Sequence, residues 1–275
     1  MKKRGKTFLK KVLKMMKKPE MRILPGQLSF FLLLSIIPLF AIVAAVAAEF
    51  SLSIENLIEI INNNLPKEIA DFIVSIIGGE TISINIIIFC ISGFILASNG
   101  PHSMIIGANL IYKIKDKDFL TRRVKALLMT VILVSLFLFI LVVPGFGGMI
   151  IDMIVNFLPS EYIGNIVHSL YNLLNYPVSL LVIYFFIKLL YTMAPDARVR
   201  SRDTTKGAVF TTIGWIISTE VYTFYVSYFA RYNLLYGSVA NLLILFLWIY
   251  ILSYIFVLGM ILNATSKEEI DKNNE

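Results

Sequence analysis

Long apolar stretches with almost no charge constrain the fold of this chain more than any other feature. A membrane-spanning helix needs roughly 20 mainly apolar residues, and six such stretches follow one another along the 275 residues. They are Leu28–Ala48, Ile84–Ala108, Val124–Met149, Tyr176–Met193, Gly207–Ala230 and Ser238–Asn263. Because 57% of the residues are hydrophobic and only 16% are charged, a water-soluble fold could not cover this much apolar surface. We predict an all-α membrane protein, built as a bundle of six transmembrane helices.

The distribution of Lys and Arg predicts the orientation of the bundle. Basic residues are retained on the cytoplasmic side of a membrane, and six spans place 22 of the 25 Lys and Arg residues on one side. Both termini are therefore expected to be cytoplasmic. This topology explains the net charge of +7, with the lipid bilayer and anionic lipid at the cytoplasmic face as expected partners. We expect no nucleic-acid partner, because no recognisable binding module appears.

The chain divides into three predicted parts. Residues 1–27 form a basic amphipathic cytoplasmic segment, suited either to lying on the inner leaflet or to packing on the cytoplasmic loops. Residues 28–264 form the transmembrane domain, and residues 265–275 form a cytoplasmic tail. Two long extracytoplasmic loops, 49–83 and 160–174, carry apolar residues at helical spacing. This spacing predicts amphipathic helices that cover the outer end of the bundle.

The sequence contains few groups that could perform catalysis. Its two histidines, His102 and His168, fall on opposite sides in the predicted topology, and Cys90 is the single cysteine. The motifs of metalloproteases, serine hydrolases and nucleotide-binding loops do not occur. We therefore predict that the protein is not an enzyme and has no catalytic residues, no metal site and no cofactor.

Polar residues inside the predicted spans are better candidates for function. Glu220 lies well inside the fifth span, where an ionised carboxylate costs several kcal/mol. Pro101 interrupts the second span, because proline removes a backbone hydrogen bond. Either Glu220 faces a polar cavity, or a neutral Glu220 hydrogen-bonds between helices and binds no substrate. The candidate intramembrane polar site consists of Glu220, Asn99, His102, Asn241 and Tyr222.

Three regions resemble the signature regions of the YihY/BrkB family of bacterial inner-membrane proteins. These regions are Leu28–Phe40, Tyr191–Phe210 and Tyr236–Ala264. The family-motif residues are Pro38, Tyr191, Pro195, Gly207, Tyr236, Gly237, Ser238, Trp248, Gly259 and Asn263. Relatives commonly have Gly-Ala-Glu before the last Asn, whereas this chain has Gly259-Met260-Ile261. If that glutamate has a task in relatives, Glu220 is the candidate substitute here.

The resemblance implies a six-helix bundle in the bacterial cytoplasmic membrane. It implies no reaction, although members have carried a ribonuclease label. Several motif residues also have a local interpretation: Gly237 would allow a tight turn, Ser238 would be the N-cap of the last helix, and Asn263 would end it. Gly207 and Gly214, seven residues apart on one helix face, predict close helix packing.

The leading functional hypothesis is a non-enzymatic multi-pass membrane protein. It would act as a transporter or flippase-like protein for an amphiphilic or ionic solute, such as a lipid, through a polar site around Glu220 and the second span. The alternative is a scaffold for envelope assembly that transports nothing. A membrane-bound ribonuclease is a third and disfavoured hypothesis. The sequence does not predict the substrate, the direction of transport or the oligomeric state.

Overall fold

A computed structural model describes five segments of the chain, residues 12–18, 21–35, 84–141, 161–229 and 233–274, and the single positions 58, 74, 151 and 155. Every regular element in this part is helical. Pro38 and all but two positions of the predicted helices in 49–83 lie outside the described residues.

The described residues form eight helices. They are α1 (12–16), α2 (Met21–Ser35), α3 (Ile84–Ala97), α4 (Asn99–Tyr112), α5 (Phe119–Leu141), α6 (Glu161–Met193), α7 (Thr205–Phe229) and α8 (Asn233–Asn274). A short 3-10 turn, Ser201–Thr204, leads into α7. Each of the six predicted spans overlaps at least one of these helices.

Two described helices are long and apolar enough to cross a membrane. By length and composition these are Ile163–Met193, with a mean hydropathy of 1.9, and Leu243–Ser266, with 2.5. Exposed apolar side chains also recur every three or four residues along α5, as expected for a helix face in contact with lipid. They are Leu120, Val124, Leu128 and Val131. The number of spans and the orientation of the termini stay predictions.

The kink predicted in the second span is confirmed. α3 ends at Ala97, Ser98 interrupts the helical pattern, and α4 begins at Asn99 with Pro101 in its first turn. Pro101 has no N–H to offer the carbonyl of Ala97, so the helix bends here. The Ser98 hydroxyl donates to the carbonyl of Ile95 at 2.6 Å.

The predicted separation between an outer helix at 160–174 and a span beginning at Tyr176 is wrong. α6 runs without interruption through Pro177, from Glu161 to Met193. Proline is tolerated inside membrane helices, because neighbouring groups satisfy the freed carbonyl. Near this proline, the amide of Asn175 donates to the hydroxyl of Tyr171 at 3.2 Å.

The predicted start and end of the last helix are also wrong. α8 begins at Asn233 and continues through Tyr236, Gly237 and Ser238, so these residues form neither a turn nor an N-cap. The helix passes Asn263 and ends at Asn274. Both predictions relied on local capping preferences, and the helix continues through both positions.

The N-terminal segment packs against the bundle where the structure describes it. Val12 is buried in the hydrophobic core, and Met15 and Met16 pack against that core. In α2, the side chain of Leu24 occupies the space where a Cβ on Gly107 of α4 would lie. The described part of this segment therefore contacts other helices, and its cytoplasmic location and its place on the inner leaflet stay predictions.

Candidate functional site

The candidate polar residues do not all lie together. Asn99 and His102 share the first turn of α4, and the ring of Tyr222 in α7 stacks on Trp248 of α8 with centroids 4.9 Å apart. Asn241 lies within α8. Glu220 is exposed on α7, and its side chain forms no hydrogen bond or ion pair with another described residue. Its predicted place in a polar cavity with the α4 residues stays a prediction.

The kink site, defined here as Asn99, His102 and Arg123 with the carbonyl of Ile95, brings a cation to the bend between α3 and α4. The guanidinium of Arg123 in α5 donates to Oδ1 of Asn99 at 2.8 Å and to the carbonyl of Ile95 at 3.1 Å. His102 packs edge-on against Phe119, with centroids 5.9 Å apart. Its Nδ1 atom is buried and has no hydrogen-bond partner among the residues that the structure describes.

A second polar group, the inner polar cluster, was missed by sequence reasoning. It consists of Asn109, Asp116, Arg122, Lys125 and Asp196. The ammonium group of Lys125 donates to the carboxylate of Asp196 at 2.9 Å and to two carbonyls that follow α6. The amide of Asn109 donates to Asp196 at 2.7 Å and to Asp116 at 2.8 Å. The cluster therefore ties the end of α6 to α4 and α5.

The Asp196 carboxylate is held in its charged form inside this cluster. Its side chain is 1% exposed, whereas that of Lys125 is 20% exposed. Burial alone would raise the pKa of Asp196. The hydrogen bonds from Lys125, Asn109 and the backbone N–H of Lys117 outweigh that effect and hold the pKa below its usual value. Asp116 is paired with Arg122 at 3.0 Å and is about half exposed.

Three family-motif residues meet where α7 crosses α8. The backbone N–H of Gly207, in the first turn of α7, donates to the side-chain oxygen of Asn263 at 2.6 Å. First-turn N–H groups have no partner within their own helix, so Asn263 caps α7 from a neighbouring helix. A Cβ on Gly207 would overlap the carbonyl of Gly259. The predicted close packing at Gly207 is confirmed, as it is at Gly214, where a Cβ would lie 2.7 Å from Ile255.

Tyr191, another motif residue, joins α6 to the same crossing. Its hydroxyl, which is fully buried, donates to the carbonyl of Phe256 at 2.7 Å. The Thr211 hydroxyl lies 2.6 Å from the Tyr191 hydroxyl. Because the single proton of Tyr191 is already donated, Thr211 is the donor in this second bond. Tyr191, Thr211 and the three motif residues thus hold three helices together.

Replacing Tyr191 with Phe is expected to lower the free energy of unfolding by about 2 kcal/mol. The substitution keeps the ring but leaves the Phe256 carbonyl and the Thr211 hydroxyl buried without their partner. Equilibrium unfolding of the purified protein in detergent measures the change. The matched control, Tyr222→Phe, keeps the stacked ring on Trp248 and is expected to stay within about 0.5 kcal/mol of wild type. Equal losses in both variants would contradict the assignment.

The described residues include no group of three or more His, Cys, Asp or Glu placed to hold a metal ion. The sequence profile described as "Virulence factor BrkB" matches residues 12–275. The chain belongs to the BrkB family. No solved structure matches it, so comparison with relatives rests on sequence.

Two relatives of this chain carry different names. YfkH of Bacillus subtilis, whose name describes it as ribonuclease-like, is 30% identical over 249 residues, which cover 87% of each chain. A UPF0761 membrane protein of Pseudoalteromonas translucida is 35% identical over 88 residues, which cover 32% of this chain and 29% of the relative. These similarities identify this BrkB-family chain as a membrane protein. The term ribonuclease-like is part of the name of YfkH and is not a property shown for this chain.

Proposed function

We propose that this BrkB-family protein transports or flips an amphiphilic or ionic solute across the bacterial cytoplasmic membrane, with both termini in the cytoplasm. The observation that carries the proposal is the guanidinium of Arg123 at the bend between α3 and α4. There it contacts Asn99 and the Ile95 carbonyl. Interrupted helices are typical of solute pathways in transporters. Arg123 lies directly before the predicted third span and places a cation beside this interruption.

The chemistry of the kink site suits a solute with an anionic or polar head. A guanidinium has five N–H donors, and the two hydrogen bonds of Arg123 to Asn99 and Ile95 leave other donors available to a solute. His102, three residues from Asn99, adds a ring nitrogen with no partner. Glu220 belongs to the proposal as a carboxylate on an exposed apolar face, between Ile217 and Val221, where a path open to lipid would reach it.

Arg123→Gln is expected to slow transport roughly ten-fold, which corresponds to one charge-assisted hydrogen bond of about 1.5 kcal/mol. The probe is phosphatidylglycerol with a fluorescent NBD label in liposomes that contain the full chain. Loss of fluorescence after dithionite addition reports how fast the label moves between leaflets. Arg22→Gln, at an exposed arginine of α2, is the matched control and is expected to leave the rate unchanged.

The same experiment separates transport from the scaffold alternative. If the wild-type protein moves the label no faster than protein-free liposomes, this lipid is excluded as a solute. If Arg123→Gln and Arg22→Gln move it at the wild-type rate, the kink site has no part in transport. A scaffold in which Arg123 only packs helices predicts the second result together with a lower unfolding temperature for Arg123→Gln.

A further inference from the structure

Two loops beside the inner polar cluster carry exposed cations. One loop connects α4 to α5 and includes Lys115 and Lys117, and the other follows α6 and leads into α7. The second loop and the first turn of α7 contribute four exposed cations: Arg198, Arg200, Arg202 and Lys206. We call these six side chains the inner basic surface.

Asp196 joins the two loops into one surface. The backbone N–H of Lys117 donates to the Asp196 carboxylate at 3.2 Å, and the backbone N–H of Asp196 donates to Oδ1 of Asn109 at 2.8 Å. Lys117 is therefore bonded to the Asp196 carboxylate through its backbone, and Arg198 follows Asp196 by two residues. The buried cluster holds together exposed cations that are about 80 residues apart in sequence.

Three of the four acidic groups of these loops are engaged with partners other than the six exposed cations. Asp196 is paired with Lys125, and Asp116 is paired with Arg122. Asp118 accepts hydrogen bonds from the backbone N–H and the hydroxyl of Thr121 at the start of α5. None of these three carboxylates forms an ion pair with the six exposed cations. The fourth acidic residue, Asp203, lies next to Arg202 in the turn Ser201–Thr204, and the six cations outnumber the acidic groups, so the surface attracts anions.

The surface lies at the edge of the apolar part of the molecule. The apolar helix Ile163–Met193 ends three residues before Asp196. On the other loop, Phe119 and Leu120 follow directly and are 66% and 71% exposed. Cations beside exposed apolar side chains match the boundary between the hydrocarbon and the headgroups of a bilayer, where basic residues attract anionic lipid.

We infer that the inner basic surface binds the phosphate headgroups of anionic lipids in the leaflet that it faces. A single-stranded nucleic acid offers phosphates too, but the exposed neighbours of these cations are Phe119 and Leu120 at the start of an apolar helix face, which matches lipid. The inference does not depend on transport. A protein that moves no lipid could still bind headgroups at this surface.

A titration with dihexanoyl phosphatidylglycerol tests the inference on the full chain purified in detergent. The variant replaces Lys115, Lys117, Arg200 and Arg202 with Gln. Because each basic residue near a headgroup adds to the attraction and four are removed, we expect binding at least about ten-fold weaker and a weaker dependence on salt. All four side chains are exposed, so the unfolding temperature should stay near that of wild type. If it falls, each loop's pair is replaced separately, and each pair should lower affinity.

The matched control removes the same charge from the N-terminal segment, at Lys14, Lys17, Lys18 and Arg22, which are also exposed. It is expected to bind the lipid like wild type. An equal loss in this control would overturn the inference, because net charge and not the joined loops would then explain binding. Wild-type affinity in the first variant would also overturn it. So would equal binding of dihexanoyl phosphatidylcholine, or tighter binding of a single-stranded RNA that is lost in the first variant.

Discussion

Replacing Asp196 with Ala is expected to lower the free energy of unfolding by about 3 kcal/mol. Removal of one partner from a buried ion pair leaves the other charge without compensation, which costs about 3–5 kcal/mol. The value falls at the low end because Lys125 is 20% exposed and keeps two carbonyl acceptors. Asn109 loses one of its two acceptors, and the N–H of Lys117 loses its acceptor.

Chemical unfolding in detergent measures this loss, and Asp116→Ala is the matched control. Asp116 belongs to the same cluster and pairs with Arg122, but its side chain is 49% exposed. Exposed ion pairs contribute about 0–1 kcal/mol, so the control should lose much less than Asp196→Ala. Similar losses of unfolding free energy at the two positions would show that the buried Asp196–Lys125 pair stabilises the fold no more than the exposed Asp116–Arg122 pair.

The pH dependence of stability provides a second readout for Asp196. Its pKa in the folded protein lies below the usual value, whereas in the unfolded chain it is about 3.9. The contribution to stability is therefore complete above about pH 4 and is lost as the pH falls through the pKa of the folded state. The stability gap between wild type and Asp196→Asn should be constant from about pH 7 to pH 5 and should narrow below about pH 4. A gap that widens in acid would contradict the sign of the shift.

The helices were largely predictable from the sequence because their signals are local. Each predicted span is a mainly apolar stretch with at most one charged residue inside it, and Pro101 marks the kink by its own covalent structure. Local signals did not predict the helix boundaries at two positions. Pro177 lies inside α6, and Gly237 lies inside α8, although each residue type commonly marks a boundary.

The inner polar cluster could not be predicted for the opposite reason. Asp196 is 87 residues from Asn109 and 71 from Lys125, so no sequence spacing relates them. The one local signal was an acidic residue in a loop otherwise rich in arginine. Asn263 shows the same limit: its side chain caps a helix that begins 58 residues earlier, whereas local preference suggested that it ends its own helix.

Replacing Gly259 with Ala is expected to separate α7 from α8 and to lower the free energy of unfolding by about 3 kcal/mol. A Cβ at this position would overlap the hydroxyls of Thr211 and Tyr191 and would lie 2.9 Å from the carbonyl of Gly207. The two hydroxyls are bonded to each other in a buried site, so neither can move without loss of a hydrogen bond. Adding a methyl group to a packed core costs about 1–3 kcal/mol, and contact with a backbone carbonyl places this one at the upper end.

Gly26→Ala provides the matched control for Gly259→Ala, since a Cβ on Gly26 of α2 would meet nothing within 4 Å. Alanine favours the helix by up to about 1 kcal/mol over glycine, so the control should be neutral or stabilised. Gly207→Ala should resemble Gly259→Ala, because its Cβ would overlap the Gly259 carbonyl and displace the Asn263 cap. If Gly259→Ala unfolds like Gly26→Ala, the two helices are further apart than described. The motif glycine would then need a role other than close packing.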